Sequence, residues 1–310
     1  MRKIVFLDEY SIAGRDMSKI AAMGEYIAYD NTRKEEVVER LRGAEIAISN
    51  KVMISGEAMR QLPDLNLICV AATGMNNVDL VTAKELGIEV KNAVGYSTTS
   101  VAETTLASAL ALARHIVYFN DYFHDGRYAA ADRAFCFDRM TYEIRGKRWG
   151  IIGLGNIGRE VARLAKAFGC EVAFYSTSGV RREEEIPSME LDELLKWSDI
   201  VSVHSPLNER TRGLVGRQQL QMMKPSAIII NVARGGIIDE AALAEALDNG
   251  WLSAAALDVF SVEPLKESPL FHIRDKYRLL ASPHNAWAAA EAIDRLLECV
   301  AENIREYIAK

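Results

Sequence analysis

The sequence predicts an α/β fold of two doubly wound parallel-sheet domains. Three observations carry the prediction. At 310 residues the chain is longer than one hydrophobic core usually organises. Short apolar runs alternate with segments of helical periodicity from residue 3 onward, and the same rhythm restarts more strongly at Trp149.

In the first set, Ile4 to Leu7, Glu45 to Ser49 and Leu67 to Ala71 read as strands, with a helical pattern from Glu35 to Leu41. Runs this apolar suit parallel strands covered on both faces. Gly95 to Glu103 then leads into an apolar helix that is expected to reach about Phe119. Ser100 and Glu103 have capping-box spacing at its start, and the first domain crossing falls just before it. Asn120 to Arg148 is polar, aromatic-rich and weakly periodic, and longer than an ordinary connection, which suits a lid or a subunit contact. The second set predicts strands at Trp149 to Gly153, Glu171 to Tyr175, Ile200 to His204, Ala227 to Val232, Ala254 to Asp258 and Leu279 to Ser282. Six such strands make a complete dinucleotide-type sheet. A last helical pattern, about Ala288 to Ile308, is expected to return to the first domain.

Composition excludes several functions. The chain is 49% apolar and 26% charged, and its 37 basic and 43 acidic residues give a net charge of −6 with no long run of one sign. Neither nucleic acid nor an anionic membrane is an expected partner. Asp8 and Glu9 interrupt the N-terminal apolar run before a signal-peptide core forms, and no apolar stretch is long enough to span a bilayer. Cys69, Cys136, Cys170 and Cys299 are far apart with no metal-ligand spacing, so neither a metal site nor a disulfide framework is expected and a reducing cytoplasm fits.

Gly153-Leu154-Gly155-Asn156-Ile157-Gly158 follows a predicted strand and opens a predicted helix. In that context the first glycine permits a tight turn, the second lets a pyrophosphate approach the backbone, and the third lets helix and strand pack closely. This spacing points to a Rossmann domain binding a nicotinamide dinucleotide. The acid usually found at the end of the second strand is missing, since the chain reads Tyr175-Ser176-Thr177-Ser178. Ser176, Thr177 and Ser178, with Arg181 or Arg182, have the donors and charge for a 2′-phosphate, or they are simply a solvated loop. NAD(H) and NADP(H) both stay open.

Three polar residues follow late strands, where a doubly wound sheet places its active site: Arg234, Glu263 and His284. Singly, each also reads as an ordinary loop residue. Together they suit reduction of a keto acid. Arginine offers a planar fork to a carboxylate and a donor to a carbonyl oxygen. Histidine can donate the proton a developing alkoxide needs, and a neighbouring carboxylate would stabilise the imidazolium.

The runs GLGNIG, SDIVSVHSPLNERTRGLV, MKPSAIIINVARGGIIDEAAL, AALDVFSVEP and SPHNAW, with AATGMNNVDL and GYSTTSVAE in the first domain, closely resemble the D-isomer-specific 2-hydroxyacid dehydrogenases over nearly the whole chain. The resemblance implies that Arg234, Glu263 and His284 are the catalytic set. It also implies that the loop Thr73-Gly74-Met75 binds the substrate carboxylate through backbone amides. Cofactor contacts are implied at Gly153, Gly155, Asn156, Ile157, Gly158, Ser176, His204, Pro206, Thr211, Val232, Ala233 and Asp258.

The implied fold is a Rossmann NAD(P)-binding domain, residues 99–286, inserted in a flavodoxin-like substrate domain of residues 1–98 and 287–310, with the active site between them. A homodimer through the cofactor domain is implied, with about Ser100 to Arg148 in the contact. The stretch TGMNNVD with GYSTTSVAE is most similar to the glycerate dehydrogenase or hydroxypyruvate reductase branch. That implies hydroxypyruvate or glyoxylate as the keto acid and D-glycerate or glycolate as the product. A short phosphoglycerate dehydrogenase and a dinucleotide-sensing, corepressor-like protein without turnover are the alternatives.

Overall fold

The computed structural model describes residues 2–179 and 184–310. It divides into two compact units, Met1–Ser97 together with Ala288–Lys310, and Thr98–Trp287.

The first unit runs β1 (Lys3–Phe6), α1 (Ser18–Ala21), β2 (Glu25–Ala28), α2 (Val37–Leu41), β3 (Ile46–Ser49), α3 (Gly56–Met59), β4 (Leu67–Val70), α4 (Leu80–Glu85) and β5 (Glu89–Asn92). Its five strands are parallel in the order β2-β1-β3-β4-β5. That is the flavodoxin-like order. The central strands β3 and β4 are buried at every residue, which is why they read as continuous apolar runs. The edge strands β2 and β5 are only partly buried and carry Glu25, Glu89 and Lys91, so no apolar run marked them. The last helix of the chain, Ala290–Ile308, completes this unit. Its residues Ile293, Leu296, Leu297, Val300 and Ile304 recur at helical spacing and are buried, and the helix packs on β4 and β5. Arg295 donates to the Tyr96 carbonyl at 2.9 Å and Asn303 to the Asn92 carbonyl at 3.1 Å.

The second unit begins with α5 (Thr98–Ala113) and α6 (Ile116–His124). Then come β6 (Arg148–Ile152), α7 (Asn156–Ala167), β7 (Glu171–Tyr175), α8 (Leu191–Trp197), β8 (Ile200–Val203), α9 (Arg217–Met222), β9 (Ile228–Asn231), α10 (Glu240–Asn249), β10 (Ala254–Leu257) and β11 (Leu279–Ala281). All six strands are parallel, in the order β11-β10-β9-β8-β6-β7. Beyond β7 a single parallel bridge, Phe174 to Ser188, stands where a Rossmann sheet has its third strand. The chain turns in opposite directions from β6 to reach β7 and β8, so the topological switch lies between β6 and β8. Beneath it, the fully buried Trp149 donates its indole N–H to Ser202 Oγ at 2.9 Å.

Two local expectations are corrected. The capping box is not formed: α5 starts at Thr98, and the Ser100 hydroxyl donates to the Ala286 carbonyl at 2.6 Å. Ser100 lies inside the first turn of the helix, not at its cap, so its hydroxyl oxygen is not placed to accept from a first-turn amide as a capping box requires. The helix expected to continue to about Phe119 breaks at His115, whose left-handed conformation (φ 50°) cannot continue a right-handed helix.

Candidate active site

The glycines of the 153–158 turn each have a separate physical reason. Gly153 has φ +94°, and a Cβ there would lie 2.9 Å from the Ser205 amide nitrogen. At Gly158 a Cβ would come within 2.3 Å of the Gly153 carbonyl oxygen, so this residue sets how closely α7 packs on β6. At Gly155 a Cβ would meet no atom within 4 Å. The protein leaves open the space in front of Gly155, where the first-turn amides of α7 have no helical acceptor. An anionic diphosphate fits this cradle.

A cavity of about 190 Å³ opens at the switch point, lined by Gly153 and Gly155 from the end of β6, Ser176 to Ser178 after β7, and His204 to Pro206 after β8. Glu184 also lines it. His204 Nε2 is 2.9 Å from Ser202 Oγ, while His204 Nδ1 and Ser205 Oγ are buried with no hydrogen-bond partner among the described residues. Burial holds the His204 ring neutral by pushing its pKa down to about 3. Arg181 and Arg182 lie outside the described residues. Among the other expected cofactor contacts, Ile157 is partly buried and packs against the core. Thr211 is buried and closes its own loop, with its hydroxyl donating to the Pro206 carbonyl at 2.6 Å.

The three reacting candidates come together on neighbouring strand ends. His284 Nδ1 lies 2.7 Å from Glu263 Oε2, and the two side chains are 21% and 34% exposed. With the carboxylate ionised, Nδ1 is the donor and Nε2 is left as the position that holds or releases a proton. Glu263 is fixed in turn by its second oxygen, which accepts from the Phe260 amide at 2.9 Å. His284 occupies a left-handed backbone conformation, φ 58°, and its amide donates to the Asp258 carbonyl at 2.7 Å. The Asp258 carboxylate accepts from the Ser282 hydroxyl at 2.5 Å, the Asn285 amide at 2.8 Å and the Ala286 amide at 2.9 Å. Buried Asp258 therefore clamps the strained turn on both sides of His284.

Arg234 follows β9, and Asn231 shapes its turn by donating to the Arg234 carbonyl at 2.9 Å and accepting from the Ala233 amide at 3.1 Å. Its guanidinium donates once to the Ala233 carbonyl, at 2.7 Å. Gly235 ties this turn to the neighbouring one: a Cβ there would sit 1.9 Å from the Phe260 carbonyl carbon and oxygen. The backbones carrying Arg234 and Glu263 can cross that closely only over a glycine.

In the first unit, Thr73 to Met75 follow β4. Asn92 donates to the Thr73 carbonyl at 2.6 Å, and the Thr73 hydroxyl donates to the Ala93 carbonyl at 3.0 Å. The parallel bridge from Ile54 to Val78 fixes the far end of the loop. Among the described residues, no backbone acceptor takes the N–H of Gly74 or Met75. Two adjacent amides on a braced loop suit a carboxylate.

Residues 106–286 match the model of the D-isomer specific 2-hydroxyacid dehydrogenase NAD-binding domain. The chain belongs to the D-isomer specific 2-hydroxyacid dehydrogenases. It is 38% identical to the glycerate dehydrogenase of Methylorubrum extorquens over 99% of this chain and 96% of that one. To the hydroxypyruvate reductase of Blautia hydrogenotrophica it is 36% identical over 99% and 97%. The crystal structure of the TT0316 protein from Thermus thermophilus superposes with a TM-score of 0.88 at 32% identity, covering 100% of this chain and 97% of that one. As a member of this family, the protein is an NAD(P)-dependent oxidoreductase that interconverts a 2-keto acid and a D-2-hydroxy acid. Its family motifs mark the residues at the strand ends. The run MKPSAIIINVARGGIIDEAAL contains Asn231 and Gly235 without giving either a role, and Glu184 falls outside the family runs; the places of all three depend on contacts between loops.

Proposed function

We propose that the protein reduces a small 2-keto acid, hydroxypyruvate or glyoxylate in preference to larger ones, to the D-2-hydroxy acid. His284 is the acid/base, Glu263 its orienting partner and Arg234 the anchor for the substrate carboxylate and carbonyl oxygen. The observation that carries the reading is the 2.7 Å contact between His284 Nδ1 and Glu263 Oε2 on strand ends next to a glycine cradle. The bound nicotinamide supplies the hydride. Arg234 polarises the carbonyl, and His284 Nε2 delivers the proton as the oxygen gains charge, while Glu263 stabilises the ring before the proton leaves. In the first unit, the loop Thr73-Gly74-Met75 is read as the substrate-carboxylate loop, and no backbone acceptor among the described residues takes the amides of Gly74 and Met75. In this reading residues 1–98 with 287–310 form the substrate domain and residues 99–286 the cofactor domain.

The names of the glycerate dehydrogenase and hydroxypyruvate reductase relatives support the choice of substrate. Gly153, Gly155, Asn156, Ile157, Gly158, Ser176, His204, Pro206, Val232 and Ala233 would hold the dinucleotide. Thr211 and Asp258 would shape its site through the loops they brace. A homodimer through the segment around Phe135 and Phe137, each 77% exposed, gives those rings a partner. The reading places the enzyme in the cytoplasm.

The test is steady-state oxidation of NADH and NADPH against hydroxypyruvate, glyoxylate, pyruvate, bulkier 2-keto acids and 3-phosphohydroxypyruvate. Turnover of hydroxypyruvate or glyoxylate with kcat/KM of about 10⁴ M⁻¹s⁻¹ or more supports the proposal. Preference for the phosphorylated acid would move the substrate to that class. Tight dinucleotide binding with no turnover would replace the enzyme by a sensor.

A further inference from the structure

Parallel strands bring their C-terminal ends to one edge of the sheet, so the neighbours β1, β3 and β4 of the first unit place the segments that follow them side by side. These are Asp8 after β1, Asn50 to Val52 after β3, and Thr73 to Asn77 after β4. Asp8 is 1% exposed, a depth at which an ionised carboxylate is costly unless it is hydrogen-bonded. Its Oδ1 accepts from the Asn50 amide at 2.9 Å, and its Oδ2 from the Lys51 amide at 2.6 Å and the Val52 amide at 3.2 Å. Burial raises the Asp8 pKa, and the three amides work against that by favouring the charged form.

The segment that Asp8 holds grips the next one in turn. The Val52 carbonyl accepts from the Ser49 hydroxyl at 2.8 Å and from Asn77 Nδ2 at 3.2 Å, and Asn77 Nδ2 also donates to the Ser49 hydroxyl oxygen at 3.3 Å. The Asn77 carbonyl accepts from the Ile54 amide at 2.8 Å. One network therefore runs from Asp8 through residues 49–54 to Asn77, two residues past Met75. Charge-assisted bonds to a single carboxylate fix three consecutive amides at once, which gives Asn77 a rigid abutment.

We propose that Asp8 is a positioning residue for the reaction: through Val52 and Asn77 it holds the Thr73–Met75 loop in the conformation that receives the substrate carboxylate. The proposal rests on the reading of that loop as the carboxylate loop and adds the group that keeps it in shape. Every member of the network lies in the first unit, so NADH affinity is expected to be untouched.

The experiment measures kcat and KM for hydroxypyruvate and glyoxylate in Asp8→Asn at saturating NADH, beside NADH affinity and thermal unfolding. Asparagine keeps the volume and one acceptor oxygen but turns an NH2 group toward amides that need an acceptor. KM is expected to rise by about tenfold or more with kcat within about threefold of wild type, because binding common to ground and transition states is lost. Asn77→Ala should split KM from kcat in the same way, and it carries the test should Asp8→Asn fail to fold. In the double variant the rise should exceed the larger single effect by less than about twofold, since both changes cut one chain of contacts. A residue that only stabilised the fold would lower the active fraction, so a fall in kcat with KM unchanged would overturn the proposal. So would a double variant whose rise in KM is the product of the single ones. Met75→Pro, which deletes one loop amide, separates the two readings. A higher KM there with none in Asp8→Asn leaves the carboxylate loop standing and removes the role of Asp8. An unchanged KM in both folded variants removes the reading of the loop, and the proposal with it.

Discussion

Gly235→Ala tests whether the crossing of two loops sets the geometry of the reacting groups. The added Cβ would lie 1.9 Å from the Phe260 carbonyl, and ordinary contact begins at 3.4 Å, so the two backbones must part by about 1.5 Å. Arg234 precedes the substituted residue directly. Phe260 gives its amide to the carboxylate of Glu263, which holds His284 at 2.7 Å. The displacement therefore separates Arg234, the proposed carboxylate anchor, from His284, the proposed proton donor. A misplacement of about 1 Å at a reacting centre can cost about 10²-fold, so kcat/KM for the keto acid is expected to fall by about two orders of magnitude. Overpacking should also cost about 1–3 kcal/mol of stability. The assay pairs steady-state kinetics with NADH titration and thermal unfolding. The cavity proposed to hold the dinucleotide lies at the ends of β6, β7 and β8, so NADH affinity should stay within a few-fold. Wild-type kcat/KM in a folded variant would refute the argument, because the loops would then part without disturbing the chemistry.

Other expectations follow from single residues. His284→Gln removes the proposed proton donor and should lower kcat by about 10²–10⁴-fold with NADH affinity nearly unchanged; unaltered turnover would take the role from His284. Arg234→Lys replaces a planar fork by a point charge, so both KM and kcat should worsen, and kinetics identical to wild type would place Arg234 outside the chemistry. Burial holds His204 neutral down to about pH 3, whereas an unfolded histidine takes up a proton near pH 6.5. The unfolded chain then binds more protons between those values, so this group's contribution is present above pH 6.5 and is lost on acidification at up to about 1.4 kcal/mol per pH unit. Urea unfolding at pH 7 and pH 5 should show a smaller acid loss in His204→Asn, and an equal loss would contradict the assignment. Burial raises the Cys69 thiol to about 12 and Cys170 to about 11. A thiol reagent at pH 8 should therefore modify neither in the native protein, and rapid labelling of either would show that its cover is not intact.

Much of the fold was legible because parallel strands buried on both faces must be apolar throughout. Every strand of the second unit falls within two residues of its apolar run. The edge strands β2 and β5 escaped because they are only partly buried and carry charged residues, and the left-handed His115 that divides α5 from α6 has no local marker. Arg234, Glu263 and His284 were legible from their places after strands. The groups that hold them were not. Asn231 and Asp258 act through turns whose conformation is tertiary, the need for Gly235 arises from a chain 25 residues away, and Glu184 reaches the cavity from beyond the strand whose end should have held the acid.

The last helix, Ala290–Ile308, also bears on how the protein is made. The cradle and the Glu263–His284 pair lie on one uninterrupted stretch, Thr98–Trp287, which can close its own core as soon as it has been synthesised. The first unit begins earlier yet finishes later, because β4 and β5 gain this helical cover only when residues 290–308 have left the ribosome. Until then their apolar side chains stand open to chaperones and to neighbouring nascent chains. A stop codon shortly before Ala290 would spare every residue of the chemistry and still yield a chain prone to aggregate.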